Sequence, residues 1–323
     1  MGADNDNTKT AKRTASFNAA ARRPSRLKIL STSPEVNIAI ANDVMRAQRD
    51  SGYPTERASP ELEAKIQGML GELRAEVPGA IPEARWMAED TKIYIVPGDK
   101  SVNMTSFTEI SKDGQHAKNA IVITQGALDH MGTKPFKALL GHELAHHLFA
   151  MDPALLDNPR YMPKSKAYKD EVAIMNFTPT GEELNKFKES FSRENGHAPD
   201  RKETMAYIMQ TSRDRRAMFK EEAMADKVGL RLSKDIYAAQ VAQMQMAEDG
   251  GNLTQEALDR PHETANAQNR GVADPHPSVN VRWQENLETA TDMATESGKP
   301  VALPPPGARP PAHNPTVKGP AAP

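Results

Sequence analysis

The chain has no cysteine, which removes disulfides, thiolate nucleophiles and thiolate metal ligands together. Any zinc site would have to be built from His, Asp and Glu. The chain also lacks an apolar run of about 18 residues, so no integral membrane segment is predicted. The first residues lack the apolar stretch of a secretory signal. Strong charge of one sign is missing as well. With 41 Lys and Arg against 43 Asp and Glu, the formal net charge is -2. No positive field is available to collect phosphates, which argues against nucleic acid as a partner. Together these absences predict a soluble, cytoplasmic protein.

What is present is enough chain, 323 residues, to bury a core. Residues 1–32 read as a disordered basic arm: 7–34 carry Lys and Arg but no acid, and Asp4 and Asp6 spoil a transit-peptide pattern. Residues 298–323 are a proline-rich tail without packing periodicity. Between them, 33–297 forms the expected folded domain. Ser33-Pro34-Glu35 and Ser59-Pro60-Glu61 each combine an N-cap, an N1 proline and an early acid, so each predicts a helix start. The Pro/Gly-rich stretch PGAIPEA should end the second helix. The β-branched segments KIYIVP (92–97) and AIVIT (120–124) read as strands, and SVNMTSF (101–107) as an edge strand. A helix should follow from an N-cap at Thr133 to about Phe149. Residues 152–196 are polar and turn-rich with helical patches, 200–232 form a long helical pattern, and 276–293 a last helix. The fold class is α+β, mostly helical with a small sheet.

The stretch LGHELAHHLF (140–149) puts three histidines and a glutamate among leucines. His142 and His146 are four apart, so on a helix they lie within roughly 40° of one face. Two imidazoles one turn apart can fill two corners of a zinc tetrahedron, and Glu143 on the flank can reach a metal-bound water. His147 lies about 120° from that pair and is predicted to be a bystander. Phe136, Leu140, Leu144 and Leu148 form the apolar stripe that would hold the helix rigidly.

A third ligand is sought in FKEEAMADKVGLRL (219–232). Glu222 and Asp226 are also four apart and share a face. Glu222 would complete a two-histidine, one-glutamate site with water in the fourth position. Asp226 would accept the outer N–H of an imidazole, most plausibly His142. Glu221 is rotated by about 100° and is predicted to face solvent.

In these blocks the chain resembles the M-forty-eight family of zinc metallopeptidases, which includes HtpX-like proteases and the CAAX prenyl protease. GHELAHH and EAMAD match the family's two zinc-binding helices. Asp274-Pro275-His276-Pro277-Ser278 with Arg282, from DPHPSVNVRW, fits its third block, with Pro275 where the family usually has a hydroxyl residue. The upstream VNMTSF and IVITQGAL resemble its edge strand and the turn before the zinc helix. The resemblance covers about residues 86–287. It implies a gluzincin-type zincin fold with an active-site helix and one Zn2+ per chain, in a soluble minigluzincin-like member, because the membrane helices of better-known members are missing. It also implies that His276 stabilises an oxyanion or positions substrate with Arg282 as charge support, or that Arg282 meets the oxyanion itself.

Asn103 is a candidate to present its side chain or strand edge to an extended peptide, against the reading of an ordinary loop asparagine. The expected function is a zinc-dependent metalloendopeptidase acting on peptide or protein through a metal-activated water, with Glu143 as general base. The alternative is a weak or inactive metal-binding scaffold that uses its termini for partners.

Overall fold

The structure, a computed structural model, describes residues 27–33, 52–249 and 276–298, with residues 35, 36, 41, 42 and 44 besides. Residues 1–26 of the basic arm, most of the helix expected from Pro34, and the proline tail after Gly298 lie outside the described residues. The end of the expected arm is not disordered: Lys28–Leu30 is a strand paired with Trp86–Ala88, and Leu30 is buried in the core. The chain is α+β. Its elements run β1 (Lys28–Leu30), β2 (Glu56–Arg57), α1 (Pro60–Ala80), β3 (Trp86–Ala88), β4 (Thr91–Val96), β5 (Met104–Ile110) and β6 (Ala117–Thr124). Then follow α2 (Gln125–His130), α3 (Thr133–Met151), a 3₁₀ turn (Pro153–Asp157), α4 (Lys166–Ile174), α5 (Gly181–Asn195), α6 (Arg201–Ser233), α7 (Ile236–Asp249) and α8 (Val279–Ser297).

Four strands form one sheet in the order β2-β4-β6-β5, and β1 pairs with β3 in a separate parallel ribbon. Alternation in TKIYIV buries Thr91, Ile93 and Ile95, the period-2 pattern of a strand. Strand β6 is buried along its whole length and is flanked by β4, parallel, and β5, antiparallel. That leaves β5 at the sheet edge, as SVNMTSF suggested.

Helix α3 is buried on nearly every side, as a helix in the centre of a layered core must be. It packs against β5, α1, α6 and α7. Its cap differs from expectation: Gly132 is the N-cap, without a side-chain bond, and Thr133 is the first helical residue. Helix α1 continues through Pro78 to Ala80, so the proline bends into the last turn rather than stopping the helix before it.

Helix α6 is long because it serves two environments. A capping box of Asp200 and Glu203 starts it, which offsets orphaned N–H groups at its first turn. Its first half is mostly exposed, and from Phe219 onward it enters the core. There it crosses α3 where glycine faces glycine. A Cβ on Gly229 would stand 2.8 Å from the backbone nitrogen of His142, and one on Gly141 would stand 3.1 Å from Gly229 O. Gly229 has no room for a side chain and Gly141 little, and this close approach brings the carboxylates of α6 onto the histidines of α3. Among the described residues no helix is long and apolar enough to cross a membrane.

Candidate metal centre

Three side chains converge where α3 crosses α6. The Nε2 atoms of His142 and His146 are 3.1 Å apart. Glu222 Oε2 lies 3.2 Å from the first and 3.5 Å from the second. One ligand atom from each residue falls within 4.8 Å of the others, so His142, His146 and Glu222 form a group that could hold a metal ion.

The outer nitrogens define which way these groups face. His142 Nδ1 lies 2.9 Å from Asp226 Oδ1, and His146 Nδ1 lies 3.0 Å from Glu221 Oε1. A carboxylate only accepts, so each Nδ1 carries the hydrogen. In a neutral imidazole the lone pair is then on Nε2, aimed at the centre. Glu222 Oε2 is buried and makes no well-aligned hydrogen bond, although three imidazole nitrogens surround it. The lone pairs of His142 and His146 facing a carboxylate oxygen repel it unless positive charge lies between them. The donor set therefore fits a cation of the kind that nitrogen and oxygen ligands hold in tetrahedral sites.

The electrostatics show the same preference. Burial pushes the His142 pKa down, but Asp226 and Glu222 outweigh it and hold the imidazole above its ordinary value. His146 is raised well above its ordinary value, because Glu222 and Glu221 overcome its burial. Burial of Glu222 favours protonation, yet His276 and His146 hold it well below the usual carboxylate range. The cluster is built to accept positive charge.

Behind these three side chains stand further charged groups. Burial alone would raise Asp226, but Arg282 and His142 bring its pKa down to about 2. Arg282 Nε and Nη2 donate to Asp226 Oδ2 and Oδ1, both at 2.6 Å. This corrects the expectation for Arg282. Its side chain is only 4% exposed and is occupied behind Asp226, so it does not front the cleft where an oxyanion would form. Its action on the centre runs through Asp226 and His142.

Glu221 also departs from expectation. It does not simply face solvent; it accepts from His146 while remaining at the cleft wall. A 100° helical rotation separates it from Glu222 on α6. His146, one turn along α3 from His142, is placed where that rotated carboxylate can reach it. His147 is a bystander to the centre, as the helical arithmetic required. It is fully buried on the sheet side, its Nε2 is 3.3 Å from Ala120 O, and burial pushes its pKa down to about 3.

The cleft beside the centre runs between α3 and edge strand β5. Asn103, Thr105, Ser106 and Thr108 line one wall, and Glu143 and Ala150 belong to the α3 side. Glu143 is almost fully buried yet borders the cleft. The backbone of Asn103 is already engaged with Thr124, donating its N–H to Oγ1 at 3.0 Å and accepting from the Thr124 N–H at 3.2 Å. What Asn103 offers the cleft is its side chain. No residue of 152–196 lines this cleft.

His276 enters from the loop before α8. Its Nε2 is 3.1 Å from Glu222 Oε2, and its ring centroid is 6.2 Å from that of His142. The turn is pinned from α4: buried Glu171 accepts the Ser278 N–H at 2.9 Å and the Ser278 hydroxyl as well. Ser278 in turn caps α8 through Val281 N–H. Nothing in the spacing of Glu171 pointed to this role; its partner lies 107 residues away in sequence. In comparisons with known proteins, no family model, no curated protein and no solved structure matches this chain.

Proposed function

We propose that this chain is a zinc-dependent endopeptidase with a gluzincin-type zincin fold, the activity implied by its resemblance to the M-forty-eight family. The observation that carries the reading is the convergence of two Nε2 lone pairs and the unsatisfied Glu222 Oε2 beside a cleft with a strand edge. His142, His146 and Glu222 would hold one zinc ion. When bound, zinc supplies Lewis acidity, polarising a carbonyl and making water easier to deprotonate.

The remaining work falls to the chain. Glu143 borders the cleft next to the first ligand, where it takes a proton from the attacking water and delivers it to the leaving amine. His276, which lines the same cleft, would donate to the oxygen on which negative charge develops. Asp226, backed by Arg282, fixes the His142 tautomer. The outer edge of β5 offers backbone groups to an extended peptide, with the Asn103 side chain at its end.

Glu143→Gln separates metal binding from catalysis, because Gln fills the same space but takes no proton. The expected result is unchanged zinc content with peptide hydrolysis reduced by at least about 10²–10⁴-fold. Metal analysis beside a fluorogenic peptide assay checks this. Wild-type turnover in the variant would remove Glu143 from the mechanism.

A further inference from the structure

We infer that Glu221 is a positioning residue of the metal centre: it holds the outer nitrogen of His146 and thereby aims that imidazole's Nε2 at the ligand cluster. The inference rests on the metal-site reading above and adds a residue to it.

The two histidines are supported unequally. His142 is backed by Asp226, which is buried and clamped by both arms of the Arg282 guanidinium. That clamp fixes the position of the oxygen that accepts from His142 Nδ1. The His146 side chain is 19% exposed and that of His142 6%. The ring of Phe149, 6.5 Å away between centroids, stands edge-on to His146 and supplies no acceptor. The acceptor for Nδ1–H is Glu221 Oε1 at 3.0 Å, on a side chain that is itself 36% exposed. An imidazole at a cleft wall that loses this bond is free to turn, or to exchange tautomer through water, and Nε2 then no longer presents a lone pair to the centre.

Charge adds to geometry. The negative charge of Asp226 is compensated by Arg282, whereas the ionic contact of Glu221 among the described residues is His146. Glu221 therefore passes its charge to the ligand it orients, which makes His146 a stronger donor to a cation. Helix α6 delivers three carboxylates to two histidines: Glu222 as ligand, and Asp226 and Glu221 as the acceptors that aim them.

The test uses the full-length protein and zinc, with affinity measured by competition against a chromogenic chelator. Glu221→Ala removes acceptor and charge, and should weaken zinc binding by about 10–100-fold. Glu221→Gln retains a carbonyl acceptor and should recover part of that loss, giving the order wild type, Gln, Ala. Thermal unfolding of the three proteins in excess chelator should coincide, because the Glu221 side chain lies at the cleft wall, partly exposed, and acts on the centre rather than on the core. Wild-type affinity in Glu221→Ala overturns the inference and leaves the metal site standing. A Gln variant no better than Ala also overturns it, since the acceptor would then orient nothing. Failure of the wild-type chain itself to bind zinc overturns the metal-site reading and this inference with it.

Discussion

At the scale of single residues, the centre depends on charges that are buried in compensated pairs. Asp226 and Arg282 have side chains only 2% and 4% exposed. Removing one partner of such a pair strands the other charge in a low-dielectric interior. Arg282→Met should therefore destabilise the fold by about 3–5 kcal/mol, measured by urea denaturation in the presence of chelator so that metal does not contribute. Adding Asp226→Asn to it should recover part of the loss, because no charge is then stranded. A single variant as stable as wild type would mean that Asp226 finds another partner. The candidate ligands were legible in the sequence, since His142 and His146 repeat at the four-residue spacing of a helical face and Glu222 shares such a face with Asp226. The orientation of Arg282 and Glu221 was not. Helical rotation fixes where a residue starts from its own axis, but the neighbouring helix decides what it meets.

At the scale of elements, the relation of α3 to α6 is set by two glycines rather than by the chemistry between them. Gly229→Ala would press a methyl group 2.8 Å from the His142 backbone nitrogen, and neither helix backbone can move aside cheaply. The crossing should widen, so this variant should lose both stability and zinc affinity. Gly71, in the interior of α1, has nothing within 4 Å of a added Cβ. There alanine should stabilise by about 0.5–1 kcal/mol through lower backbone entropy in the unfolded chain. Opposite signs for these two substitutions in one denaturation series are the expected outcome; a Gly229→Ala protein that is stable and binds zinc normally would contradict the close-crossing account. Most elements with strong local signals were readable: the N-cap of α1 at Ser59, the β-branched run of β6, the apolar stripe of α3. Short β1, β2 and β3 were not, because strands of two or three residues carry too little alternation and exist through their partners. The glycine crossing was visible only as two glycines inside helical patterns, which local propensity penalises and long-range packing explains.

At the scale of the whole molecule, distant segments are tied together by carboxylates and cations. Glu296, near the end of α8, accepts from Arg231 on α6 and from Arg160 after the 3₁₀ turn. Burial would raise its pKa, but the two guanidinium groups lower it from 4.5 to about 2. The unfolded chain takes up this proton near the ordinary value, whereas the folded chain resists it. The stabilisation is thus complete above pH 4.5 and is lost as pH falls towards 2. Glu296→Gln should consequently narrow its stability gap to wild type as urea denaturation is repeated from pH 6 down to acid. A gap that stays constant across that range would deny the ion-paired carboxylate its part in acid sensitivity. The same long-range ties explain why Glu171 and Glu296 could not be assigned from sequence: their partners come from other elements, with no local spacing to mark them. The central claim, that this assembly is a zinc-dependent peptidase, is tested most directly by hydrolysis of a fluorogenic peptide by the full-length chain before chelation, after it, and after zinc is restored. The account predicts that hydrolysis disappears with chelator and returns when about one zinc per chain is added back. Hydrolysis that survives complete chelation, or a zinc-saturated chain that cleaves no peptide in a broad library, would contradict it.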